Sequence, residues 1–119
     1  MEYQFSNDKP IYLQLMDVFK VAIVSGELPR GQRLESVRDL AIVAKVNPNT
    51  MQKALSELER IGLVRTERTS GRFITDDEEL ILSMKKEIAE KEIALFLEKM
   101  KQLGLTKDSV IKLITDSNY

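Results

Sequence analysis

The 119-residue chain has no cysteine, no histidine and no tryptophan, and only three prolines and five glycines. Without cysteine there is no disulfide framework and no thiolate metal site, which fits a reducing interior. Without histidine, the commonest general base and the commonest metal ligand are both missing. Any chemistry would fall to carboxylates, Lys, Tyr, Ser and Thr. There is no glycine-rich phosphate loop and the carboxylates are scattered, so no catalytic site, metal site or cofactor is expected. Nothing in the spacing of Tyr3, Tyr12 and Tyr119 requires an enzyme. No apolar run is long enough to span a bilayer, and the opening MEYQFSNDKP lacks the basic-then-apolar form of a signal peptide. A soluble, cytoplasmic protein without membrane contact is the expectation.

Charge is nearly balanced, at a net −1, but it is unevenly divided. Met1 to Thr75 holds eleven Lys and Arg against nine Asp and Glu, net +2, whereas Asp76 to Tyr119 holds seven against ten, net −3. That split allows a mildly basic front and an acidic rear. The length suits one main core with an appendage rather than two full-sized domains.

The stretch VNPNTMQKALSELERIG, residues 46–62, predicts a helix over 48–61 that presents its first turn outward. Asn47 is a favourable N-cap, and Pro48 loses nothing by lacking an N–H at the first helical position. Met51, Ala54, Leu55, Leu58 and Ile61 recur at three- and four-residue spacing as one apolar stripe, and Gly62 supplies the stop. Asn49, Thr50, Gln52 and Lys53 lie off the stripe and offer donors and acceptors suited to base edges and phosphates. An ordinary amphipathic core helix carries the same stripe, so this stretch alone leaves both readings open.

Upstream, Asn7 or Asp8 can cap a helix running from about Lys9 to Ser25, with Ile11, Leu15, Val18, Phe19, Ala22 and Ile23 inward. GELPRGQRLES makes a corner with a brief strand at Arg33 to Glu35. Ser36 and Asp39 then form a capping-box-like start to a short helix through Lys45. Only Val46 and Asn47 separate it from the next helix, so the two must cross sharply, as in a helix-turn-helix. Residues 63–75 alternate as a hairpin around Thr69-Ser70-Gly71, a wing carrying Arg65, Arg68 and Arg72. These cations either follow a phosphate backbone or form a solvated face.

From Asp76 a long helix continues to Leu103, with one apolar stripe through Leu82, Ile93 and Phe96 and a second through Ile81, Met84, Ile88 and Leu95. Thr106 caps a last helix that can fold back over one stripe. The other, Ile81, Met84, Ile88 and Leu95, is expected to form a homodimer interface; the competing reading packs it on the first helix of the front module. The fold class that results is mainly α with a small β-hairpin wing. It comprises a winged helix-turn-helix DNA-binding domain, residues 1–75, followed by a two-helix C-terminal dimerisation tail, residues 76–119.

PIYxQL, G-x-L-x-x-G-x-x-L, S-V-R-x-L-A, V-N-x-x-T, A-x-x-x-L and G-L-V follow one another between Pro10 and Ile74. This succession resembles the winged helix-turn-helix of the GntR family of bacterial transcription regulators. The short tail is similar to that of the YtrA subfamily, whose two C-terminal helices dimerise. The resemblance implies a sequence-specific DNA-binding regulator, typically a repressor and often of operons encoding ABC-type transporters. It also implies DNA contacts at Arg38, at Asn49, Thr50 and Lys53, and along the wing from Arg68 to Gly71. Two positions depart from the family pattern: Glu35 stands where many members have Pro, and Thr69 replaces the first wing glycine, while Gly71 keeps the second.

The function expected is a dimer on a double-stranded operator, an inverted repeat whose half-sites are roughly 10 base pairs apart. The alternative is a winged-helix protein-protein interaction module with no specific, salt-dependent DNA binding. The tail is too short to enclose a drug-sized cavity, so a small-molecule effector is expected only at the dimer interface or between tail and wing.

Overall fold

The structure is a computed structural model describing Met1–Tyr119. Its first helix, α1 (Ile11–Ser25), starts directly after Pro10, which takes the N-cap position with extended backbone and no side-chain hydrogen bond. The expected cap by Asn7 or Asp8 therefore does not form. The Asp8 carboxylate instead accepts the Ser6 hydroxyl, and this bond holds it below the ordinary carboxylate range. Leu15, Phe19, Ala22 and Ile23 are buried as their spacing requires, but Val18 is only half-buried and Met16 is inside. Gln14 is buried too, which an apolar stripe does not foretell. Its amide nitrogen donates to the carbonyls of Ser6 at 2.9 Å and Lys9 at 2.7 Å, and its oxygen accepts the Ser6 N–H at 2.8 Å. A buried amide with its groups partnered in this way escapes the desolvation penalty.

Helix α2 (Val37–Ala44) is started by the Ser36 hydroxyl, which accepts the Asp39 N–H at 3.1 Å. It ends on Lys45 in the left-handed region, φ 59°, the single non-glycine residue with positive φ. Two residues later Asn47 caps α3 (Pro48–Arg60) by accepting the Asn49 N–H at 2.7 Å, with Pro48 in the first turn. Beyond α3 the chain turns at Gly62, φ 87°, where a Cβ would stand 3.2 Å from Leu80 Cδ2. That corner thus favours glycine for its conformation, and a side chain there would also press on Leu80.

The hairpin consists of β1 (Val64–Glu67) and β2 (Gly71–Ile74), antiparallel, with Val64 opposite Ile74 and Glu67 opposite Gly71. The free edge of β2 meets the corner before α2. Leu34 N–H donates to the Arg72 carbonyl and Ile74 N–H to the Gln32 carbonyl, each at 2.8 Å. The strand expected at Arg33 to Glu35 is reduced to a single bridge between Arg33 and Phe73. It still anchors the wing to the corner that leads into α2.

The chain forms two compact units, Met1–Lys85 and Lys86–Tyr119, and α4 (Glu78–Gln102) runs through the boundary. In the first unit α1 and α2 both pack on α3, and Phe19, Leu15, Met51, Leu55, Leu58, Leu63 and Ile74 form the sealed core. The opening turns of α4 complete it, with Ile81 buried and Leu80 and Met84 packed against it. In the second unit Gly104 ends α4, and the Thr106 hydroxyl caps α5 (Lys107–Thr115) by accepting the Ser109 N–H at 3.2 Å. Val110 is buried there, while Ile93, Leu95, Phe96, Leu103, Ile111, Leu113 and Ile114 are exposed.

Candidate nucleic-acid interface

The apolar stripe of α3 faces the core, so the opposite face of its first turn is fixed toward solvent. Met51, Ala54, Leu55 and Leu58 are buried; Asn49, Gln52 and Lys53 are exposed and Thr50 is half-exposed. The Asn47 cap holds this turn in register from below. The Gln52 amide nitrogen donates to the Ser56 hydroxyl at 3.0 Å, one turn on. The Lys53 ammonium sits 4.0 Å from the centre of the Tyr12 ring. An ammonium over an aromatic face is attracted by the ring quadrupole, so α1 steadies this cation while leaving it accessible. Tyr12 is a site feature that periodicity misses, since a half-buried aromatic at the edge of a stripe looks like ordinary packing.

Arg38 lies in the first turn of α2, exposed, and forms no ion pair with Asp39, with Glu35 or with any other acid. Its guanidinium is therefore available as a planar fork for a phosphate or a guanine edge.

The wing is less cationic than its sequence. Arg65 is engaged by Glu67 and by Asp76 at 3.3 Å, and its guanidinium lies 4.8 Å from the centre of the Phe73 ring. Arg72 is half-buried, with its Nε sealed from solvent. Of the three wing arginines only Arg68 is both exposed and without an ion pair. Gly71 carries φ +104°, a conformation that favours glycine, at the start of β2.

The four residues expected at a dimer interface separate. Ile81 is buried in the core of its own chain and Met84 packs against that core, because the first turns of α4 close the winged unit. Ile88 is half-exposed and Leu95 is 67% exposed. Only the last two are open to a partner. No cluster of His, Cys, Asp or Glu is arranged to hold a metal ion, and no helix is long and apolar enough to cross a membrane.

Residues 11–74 match the family described as bacterial regulatory proteins, gntR family. The chain is similar to the HTH-type transcriptional regulator YhcF of Bacillus subtilis strain 168, with 43% identity over 112 residues covering 94% of this chain and 93% of that protein. It is similar also to the HTH-type transcriptional repressor YtrA of the same organism, 36% identical over 79% of this chain and 68% of the relative. Among solved structures, a GntR family transcriptional regulator from Listeria monocytogenes superposes with a TM-score of 0.87 at 34% identity, over 96% of this chain and all of the other. The arrangement of helices and hairpin is the one seen in that solved regulator.

Proposed function

Because the chain belongs to the GntR family of bacterial regulatory proteins and is thus a DNA-binding transcriptional regulator rather than an enzyme, we propose that it acts in the cytoplasm as a dimeric repressor on an inverted-repeat operator. The observation that carries this reading is the pair of exposed cations without an acid partner, Arg38 on α2 and Lys53 on the outward face of α3. Asn49 and Thr50 lie between them in sequence and supply the short polar groups that read base edges. Arg68 and Gly71 of the wing extend the contact along the backbone.

The repressor role is supported by likeness to a relative named a repressor. A transporter-type operon as target follows only from resemblance to the YtrA subfamily. Dimerisation is supported by the apolar side chains that the second unit leaves in water, among them Leu95, Leu103 and Leu113, each more than half exposed. A second copy would cover them, and a two-fold dimer matches a palindromic site.

Binding of the purified protein to duplex DNA from upstream of its own gene tests the surface. Arg38→Ala and Lys53→Ala should each weaken binding about tenfold or more, the usual effect of losing one base or phosphate contact, with the thermal midpoint unchanged. Unchanged affinity in both would remove the proposed surface. An absence of salt-dependent DNA binding in the unmutated protein would favour the protein-interaction module instead.

A further inference from the structure

Three of the seven arginines are held by acids: Arg30 by Glu78, Arg60 by Glu57, and Arg65 by Glu67 and Asp76. The other four, Arg33, Arg38, Arg68 and Arg72, take part in no ion pair. Three of these four are gathered. Arg33, Arg68 and Arg72 line one open cleft of about 450 Å³ between the corner before α2 and the wing. Ser36, Thr69 and Ser70 add hydroxyls to the same lining.

The cleft is also a built part of the fold. The Arg72 Nε is buried and has no hydrogen-bond partner, although a guanidinium N–H sealed from water ordinarily finds an acceptor. Arg33 lies against the wing at Gly71, where a Cβ would stand in ordinary contact with it, 3.4 Å from its Nε and 3.5 Å from its Nη2. The hydrogen bonds from Leu34 to Arg72 and from Ile74 to Gln32 hold the two walls together. The cleft also carries two acids. Glu67 is engaged by Arg65, and Glu35 is close enough to Tyr3 to raise its phenol pKa, after the larger effect of burial.

We propose that this cleft seats a backbone phosphate of the bound DNA, and that Arg33 is a DNA-contacting residue outside the helix-turn-helix and outside the wing. The inference rests on the DNA-binding reading above. Arginine is the side chain whose planar fork matches phosphate oxygens in a bidentate manner, and Arg33 and Arg68 bring exposed guanidiniums without acid partners to this cleft. The contact is sequence-independent, so it sets affinity and register and not base preference.

The test compares Arg33→Gln, Arg33→Lys and a control, Arg60→Gln, in the full-length protein. Binding is measured by fluorescence anisotropy to a mixed-sequence duplex of about 30 base pairs, long enough for both half-sites, and to the upstream duplex, across a salt series. Arg33→Gln should weaken binding to both duplexes by a similar factor, about fivefold to twentyfold, and reduce the log–log salt slope by about one per subunit. Arg33→Lys should keep most of the slope, and Arg60→Gln should change neither quantity. Unchanged affinity and slope in Arg33→Gln, while Arg38→Ala weakens binding, would overturn the inference and leave the DNA-binding function standing. If Arg38→Ala and Lys53→Ala also have no effect, the functional reading itself fails. Titration with inorganic phosphate at constant ionic strength separates the remaining source. Tight phosphate binding lost in Arg33→Gln, with DNA affinity unaltered, would make the cleft a free-anion site and overturn the DNA assignment.

Discussion

At the scale of single residues, Gln14 illustrates how much depends on partners far along the backbone. Its amide bonds with Ser6 and Lys9 tie the segment before α1 to the core, under Tyr3 and Phe5, which pack against it. Replacing it with Leu leaves the Ser6 N–H without its acceptor, so Gln14→Leu should destabilise the fold by about 1–3 kcal/mol, measured by urea unfolding. A change within a few tenths would mean that water substitutes for the amide. Residue roles were legible where they followed from local chemistry: Ser36, Asn47 and Thr106 cap their helices as their side chains dictate. They were illegible where they depended on a distant partner. Arg65 belongs to the same wing sequence as Arg68, yet Asp76, eleven residues on, engages one and not the other. Tyr12 under Lys53 and Arg33 against Gly71 are likewise products of the fold.

At the scale of elements, each helix and both strands are where periodicity and turn residues put them, and the departures have physical causes. α1 begins at Ile11 because Pro10, with φ −53° and ψ 141°, fills the cap position that was expected of Asn7 or Asp8. The strand at Arg33 to Glu35 shrinks to one bridge because Ser36 already starts α2. The element on which function turns is α3, whose outward turn depends on the Asn47 cap. Asn47→Ala should cost about 1 kcal/mol and lower DNA affinity by more than that loss of stability alone explains, because it loosens the turn carrying Asn49 and Thr50. Calorimetry beside a binding titration checks both; a stable protein with undiminished affinity would mean that Pro48 alone holds the turn.

At the scale of the whole molecule, the long helix α4 has two different tasks along its length. Its first turns bury Ile81 in the winged unit, while Leu95 further on stays in water. Sequence spacing grouped Ile81, Met84, Ile88 and Leu95 as one stripe, since periodicity reveals a shared face but not where along it the neighbour changes. The two ends should therefore respond differently to a charge. Ile81→Asp should destabilise the monomer by several kcal/mol, the cost of an unpaired buried carboxylate, whereas Leu95→Asp should leave the fold intact and shift the protein from dimer to monomer in sedimentation velocity. A dimer unaffected by Leu95→Asp would move the interface elsewhere. The central claim, that this is a sequence-specific DNA regulator, is tested most directly by gel shift with duplex from its own upstream region against a scrambled duplex of equal length, at two salt concentrations. Preference for the upstream duplex, with affinity falling steeply as salt rises, is the predicted result; equal and weak binding to both would contradict it.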